Sequence, residues 1–287
     1  MHVVAHGGAG PTDYPEPRQR ILDNAVREAS VAATPISAVM TAIAPLEASP
    51  RFNAGVGSAV QSDGRIRTDA SIMADDLTFG AACGMEGVVH AIRVAEAVRT
   101  QTPHVLLAGK HATKFAEYCG IETRHDCWTE RTRLRWKEAS LDDASYADQL
   151  EAVSEHYGAG HDTVGAVASD GNHVAAGTST GGRWLALAGR VGDVPQVGAG
   201  SYASSAGGVS TTGAGEDIAR VTLAREAERE IANGLSADAA AKRALATFAD
   251  AASGTAGLIA LTPGGDVGIA YNSEDMQTAI ARNGTLC

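Results

Sequence analysis

Aromatic side chains are scarce in this 287-residue chain, at 5%, while glycine is abundant at 33 residues. A core without large aromatic anchors must close through small side chains and tight turns, and glycine supplies backbone freedom for both. Cysteine is sparse too. Cys83, Cys119, Cys127 and Cys287 contain no CxxC pair, which excludes a zinc ribbon and a thioredoxin-type motif and makes a reduced setting the default. Only four of the 23 basic residues are lysine, and the formal net charge is −11. No basic stripe is available to release counterions, so nucleic acid is excluded as a partner. The one locally basic stretch, 131–137, reads as a solvated helix face. No apolar run approaches the ~18 residues of a membrane span. The N-terminus enters Val3-Val4-Ala5 without a basic and then apolar leader. A soluble, cytoplasmic protein with no membrane partner is expected.

At 44% hydrophobic and 20% charged, the chain has ample apolar surface for a core. Residues 3–6 read as a buried strand ending in Gly7-Gly8-Ala9-Gly10. A helical pattern follows near Pro17, with Ile21, Leu22, Ala25, Val26 and Ala29 on one face; a second follows Thr34-Pro35, with Val39, Ala42, Ile43 and Leu46. Residues 50–57 read as a loop, 66–73 and 79–83 as strands, and 61–64 as a turn. Short helices with glycine breaks are expected over 89–136, and a surface linker over 137–161. Strands at 163–169 and 173–180 form a hairpin across Asp170-Gly171-Asn172. Further strands are expected at 196–200 and 208–212, helices at 216–232 and 236–251, and two closing strands at 257–261 and 267–271. Strands grouped with strands, and helices with helices, argue for layered sheets covered by helices rather than a doubly wound parallel sheet.

Three hydrolytic chemistries can be tested on the residues. Gly177-Thr178-Ser179-Thr180-Gly181 matches a serine nucleophile elbow, and His6-Gly7-Gly8-Ala9-Gly10 mimics a lipase oxyanion motif. That fold needs its histidine after the nucleophile, and all nine histidines lie at or before His173. Metal hydrolysis fares no better: His104 and His111, or His156 and His161, lack H-E-x-x-H spacing. The third chemistry is an N-terminal threonine. A Thr hydroxyl needs an adjacent base, and the α-amine of the same residue, titrating near ~8, can be that base. An internal threonine acquires the amine only when the preceding bond breaks. Thr163 stands after a polar linker at the start of a strand, with Asp162 placed to assist an N-to-O acyl shift. Taken alone, a strand-initial threonine is more often a β-branched sheet residue.

The neighbouring motifs alter that balance. His6-Gly7-Gly8-Ala9-Gly10, Phe52-Asn53-Ala54-Gly55-Val56-Gly57, Asp162-Thr163-Val164-Gly165-Ala166-Val167-Ala168, Thr178-Ser179-Thr180-Gly181-Gly182, Gly189-Arg190-Val191-Gly192-Asp193 and Thr212-Gly213-Ala214-Gly215-Glu216 occur in this order. Together they resemble the threonine-type (plant-type) asparaginase and isoaspartyl peptidase family, within the N-terminal-nucleophile hydrolases, over essentially the whole chain.

The resemblance implies a single α+β domain over 1–287, a four-layer αββα sandwich with two mainly antiparallel sheets between helix layers. It implies self-cleavage between Asp162 and Thr163 into an α chain, 1–162, and a β chain, 163–287. Thr163 would attack the substrate amide, with Thr180 polarising its hydroxyl. Arg190 and Asp193 would hold the substrate's α-carboxylate and α-ammonium, a pairing that suits a guanidinium fork and a carboxylate. Read without the resemblance, the two are a surface salt bridge. Thr212 and Gly213 would form the oxyanion hole at the start of a helix, Gly215 would lie against substrate, and Asn53 would stand near the nucleophile. Ala214 departs from the Thr or Asn often found between those glycines. The backbone carbonyls of Leu46, Glu47, Ser49, Phe52, Ala54 and Val56 would wrap a structural sodium ion, while catalysis itself would need no cofactor. The implied activity is hydrolysis of L-asparagine to aspartate and ammonia, with cleavage of β-aspartyl (isoaspartyl) dipeptides, in a dimer of αβ heterodimers. Glycosylasparaginase activity and a non-maturing binding protein are the alternatives.

Overall fold

The computed structural model describes residues 1–10, 15–142, 144–156 and 163–287. Its centre is an eight-stranded sheet in the order β12-β11-β1-β5-β6-β2-β3-β4, facing a four-stranded sheet in the order β10-β9-β8-β7. The large sheet consists of β1 (His2–Ala9), β2 (Thr68–Ala74), β3 (Phe79–Met85), β4 (Leu106–Ala108), β5 (Val164–Ser169), β6 (Val174–Thr180), β11 (Met276–Arg282) and β12 (Thr285–Leu286). The small sheet holds β7 (Ser201–Ser204), β8 (Gly207–Gly213), β9 (Ala256–Leu261) and β10 (Val267–Tyr271). All described strand pairs are antiparallel except β3 with β4.

Alternation along the central strands assigns the layers, because successive side chains point to opposite faces. Val3, Ala5, Val164, Ala166, Ala70 and Ile72 turn outward into a core shared with helices α1 (Pro15–Ala29), α2 (Pro35–Ala48) and α3 (Ala91–Gln101). Val4, Val167, Val174, Ala176 and Met73 turn inward to meet Ala203, Ile259 and Leu261 of the small sheet. The outer face of the small sheet is covered by α8 (Leu223–Ala232) and α9 (Ala237–Ala251), through Leu223, Ile231, Ala244 and Phe248. The expected αββα sandwich is the observed arrangement. Small residues let the two sheets approach closely. A Cβ at Gly208 would meet Val167 and Val174 side chains at 2.7 Å.

Several sequence expectations need correction. The linker at 137–161 contains α6 (Tyr146–Glu155), which follows α4 (Gly109–Tyr118) and α5 (Glu130–Ala139). A reciprocal Ser145–Asp148 capping box starts α6, and Ser62 ties it down through Gln149 at 2.9 Å. Its polar composition hid it. The strand expected at 196–200 is only a bridge from Val197 to Ser201, and pairing begins with β7. The helix at 216–232 is two, α7 (Gly215–Val221) and α8, broken where Thr222 turns left-handed at φ 50. The strands at 257–261 and 267–271 do not close the chain, since β11 follows and pairs with β1. Among the described residues no helix is long and apolar enough to cross a membrane.

Candidate active site

Thr163 directly precedes β5 and is buried at 6% exposure. Its hydroxyl donates to the Thr180 hydroxyl, the last residue of β6, at 3.2 Å. The hairpin register sets this contact: Val164 pairs with Ser179, so the preceding residue falls opposite Thr180. The Gly182 amide also donates to Thr180 Oγ1, at 3.1 Å. Outward alternation sends Ser179 to the opposite face, where its hydroxyl donates to Glu47 at 2.6 Å. The residue at the centre of the serine-elbow pattern therefore turns away from Thr163. Asp162, the expected scissile partner, lies outside the described residues.

Beneath Thr163, the strand is packed against a buried polar cluster. The His6 ring lies 2.9 Å from the Ser210 hydroxyl, which shares a 3.0 Å hydrogen bond with Thr178. Burial pushes the His6 imidazole down to about 3, only partly offset by a contact with the Thr163 backbone, so the ring is neutral at physiological pH. A Cβ at Gly165 would stand 2.0 Å from Ser210 Oγ and 2.4 Å from His6 Nε2. Gly165→Ala is expected to cost about 1–3 kcal/mol or more through overpacking. A thermal melt should show a midpoint lower by roughly 3–10 °C; an unchanged midpoint would show that the cluster yields.

The small sheet brings Thr212 to the same place. Gly208 packs on Val167 and Ser210 on Gly165, so β8 crosses β5 in antiparallel steps of two residues, and the next step sets Thr212 over Thr163. Thr212 is fully buried, and its Oγ1 has no hydrogen-bond partner among the described residues. An unsatisfied buried hydroxyl costs free energy, so its retention suits a donor kept for a ligand. Gly213 follows at φ +133, where a Cβ would strike the Thr255 carbonyl oxygen at 2.3 Å. The helix beyond it, α7, has only seven residues and no side-chain cap. The dipole expected from a long helix at 216–232 is correspondingly reduced.

Arg190 and Asp193 come from the glycine-rich segment before β7, and neither is the exposed salt bridge of the plainer reading. Arg190 donates through Nε and Nη2 to Glu216 at 2.8 and 2.9 Å, and Arg183 adds a third contact at 3.1 Å. Burial pushes Glu216 up, but the Arg190 fork outweighs it and holds the carboxyl down at about 2. Glu216 therefore stays ionised and fixes the guanidinium plane, with Nη1 lying toward Gly182 and Gly192. Asp193 is 4% exposed, and its Oδ2 is buried without a partner among the described residues. Desolvation pushes this carboxyl up to about 6, against the pull of Arg190. Gly215 unites the pair, because a Cβ there would meet Arg190 Nη2 and Asp193 Oδ1, both at 2.7 Å.

Asn53 fastens the preceding loop to the end of β6. Its amide donates to the Gly182 carbonyl at 2.6 Å and accepts from the Ala59 amide at 2.8 Å, while its own carbonyl accepts from Gly181 at 2.9 Å. The segment from Leu46 to Val56 is not all loop: Leu46 and Glu47 lie in the last turn of α2, and a short 3-10 turn begins at Gly55. A Cβ at Gly55 would meet the Glu47 carbonyl oxygen at 2.1 Å, and one at Gly57 the Phe52 carbonyl oxygen at 1.9 Å. Two of the carbonyls, of Leu46 and Ala54, accept hydrogen bonds from the Ser49 and Gly57 amides. The sequence reading gave no role to Glu216, Asp69 or the Glu47 side chain. For Asp69 and Glu47 the signal available was a lone acid inside an apolar or small-residue segment; Glu216, followed by Asp217, gave none.

The chain matches the family described as Asparaginase over residues 1–286. It is 40% identical over 296 residues to a plant-type L-asparaginase of Pyrococcus abyssi, covering 98% of this chain and 96% of that protein. The corresponding enzyme of Pyrococcus furiosus is 38% identical over 298 residues, with 98% and 96% covered. An isoaspartyl peptidase/L-asparaginase of Bos taurus is 37% identical over 298 residues, covering 99% of this chain and 94% of its own.

Proposed function

The chain belongs to the asparaginase family, and from that premise we propose that it is a self-processing amidohydrolase acting on L-asparagine and β-aspartyl dipeptides. The observation that carries the reading is Thr163 at the head of β5, with its hydroxyl on Thr180 and the unpartnered Thr212 hydroxyl on the facing strand. The relatives, plant-type L-asparaginases and an isoaspartyl peptidase/L-asparaginase, support the substrate class.

In the proposed reaction the bond between Asp162 and Thr163 breaks first, giving chains 1–162 and 163–287 that stay together. The freed amine of Thr163 takes the proton from its own hydroxyl as Oγ1 attacks the side-chain amide carbon. Thr180 steadies the attacking oxygen. The Thr212 hydroxyl and the Gly213 N–H receive the developing oxyanion. The amine then returns its proton to the leaving nitrogen, releasing ammonia or an amino acid, and water hydrolyses the β-aspartyl ester left on Thr163. Arg190 and Asp193 hold the α-carboxylate and α-ammonium; Gly215 gives backbone access, and Asn53 keeps the adjoining loop in place.

The backbone carbonyls of Leu46, Glu47, Ser49, Phe52, Ala54 and Val56 would hold sodium, which orders the loop and takes part in no bond change. The chemistry of the donor set, neutral carbonyl oxygens, supports this assignment. A dimer of αβ units follows from the same family premise. The four free thiols suit a cytoplasmic setting.

Incubation followed by a denaturing gel tests the reading. Two bands should replace the 29.3 kDa chain, with threonine at the new N-terminus by mass spectrometry. An intact band with no ammonia release would favour a binding protein instead. Assays of asparagine, a β-aspartyl dipeptide and a glycosylated asparagine should show turnover of the first two; selective turnover of the third would favour a glycosylasparaginase.

A further inference from the structure

Strand β2 carries one acid on the face it turns toward the small sheet. Ala70 and Ile72 enter the helix-side core and Met73 the inter-sheet core, so Asp69 and Ser71 share the inward face. Asp69 pairs with Thr180, and Thr163 lies on the other side of Thr180. The three side chains therefore form one row across adjacent strands β5, β6 and β2. One step further along β2, the Ser71 hydroxyl donates to the Val194 carbonyl at 2.6 Å and shares a 2.9 Å hydrogen bond with Ser201. This face of β2 is thus packed on the segment that holds Arg190 and Asp193.

Asp69 is poorly compensated for a buried acid. It is 4% exposed, and Oδ1 accepts the Gly84 amide at 2.7 Å. Among the described residues no side-chain cation lies within ion-pair distance of it. Burial pushes it up to about 7; Gly84 and the charge of Arg190 pull it down, while Asp193 pushes it up. Cys83 is the other titratable group that senses it. Asp193 nearby has its own buried, unpartnered Oδ2. Two desolvated acids, the second near enough to push the first up, are costly as structure alone, where an amide or hydroxyl would serve better. A primary ammonium, with three N–H donors and a positive charge, relieves both.

We infer that Asp69 is a second carboxylate for the substrate's α-ammonium, acting with Asp193, and that it sets the preference for substrates bearing an α-amino group. The inference rests on the amidohydrolase reading. Asp69→Asn keeps the shape and the acceptor for Gly84 while removing the charge. The discriminating measurement compares kcat/KM for L-asparagine and for succinamate, which is asparagine without its α-amine. The variant should self-cleave and lose about tenfold of the wild-type preference for asparagine, mainly in KM. Asp69→Ser provides a second neutral variant should the amide impair maturation, and Asp69→Glu should restore part of the preference. A ratio equal to that of the wild type overturns the inference, whether both rates fall together or neither does. Equal inhibition of the wild type by L-aspartate and succinate overturns it without any variant. Wild-type protein that turns over neither asparagine nor a β-aspartyl dipeptide defeats the parent reading instead.

Discussion

Thr163→Ala yields a protein that remains a single chain and releases no ammonia from asparagine. One oxygen serves both events in the proposed chemistry, first as the acceptor in the N-to-O shift and then as the attacking nucleophile, and alanine removes it. Loss of a primary nucleophile costs about 10⁴–10⁶ in turnover, which puts the variant at the assay background. The side chain is small and buried at the strand head, so the fold should persist, and circular dichroism should match that of the unprocessed wild-type chain. Ammonia release at even a hundredth of the wild-type rate would remove Thr163 from the mechanism. Two bands on the gel would separately show cleavage by another agent.

Thr212→Val slows the chemical step by about 10²–10³ with little change in KM. Valine has nearly the shape of threonine and lacks only the hydroxyl. That hydroxyl has no partner among the described residues, so its removal breaks none of their hydrogen bonds and relieves an unsatisfied buried group. The thermal midpoint should therefore hold or rise while kcat falls, because the lost donor acts only on charge developing in the transition state. This separation is the useful feature of the experiment. A variant with wild-type kcat would mean that the oxyanion is received elsewhere, and a variant with lowered stability would mean that Thr212 serves the fold.

The central hairpin was legible because its two signals agree. Val and Thr recur among small residues over 163–169 and 173–180, and Asp170-Gly171-Asn172 supplies the turn between them. Helices α1, α2 and α9 were legible from spaced apolar residues, with the capping signal of Thr34 confirming the start of α2. Polar or very short elements escaped. Helix α6 has an exposed, charged surface, and β4 has three residues in a parallel pairing, so neither imposes a periodic pattern. Strand β11 fills the place beside β1 at a sequence distance that local reasoning does not reach.

The sequence by itself determined the family and the layered fold class and singled out Thr163, because six short motifs and the grouping of strand and helix segments survive in one dimension. It also excluded a histidine for Ser179, since no histidine follows residue 173. Only the tertiary structure decided which groups meet. The stacking of β8 on β5 runs Thr212 toward the Thr163 end of the hairpin, and the loop fold gave the Arg190 fork to Glu216 rather than Asp193. Strand order set Asp69 in line with Thr180 and Thr163. The physical reason lies in the pairing itself: register and sheet stacking are collective, fixed by the burial of many small side chains at once. No single residue carries the information about its neighbour two strands away.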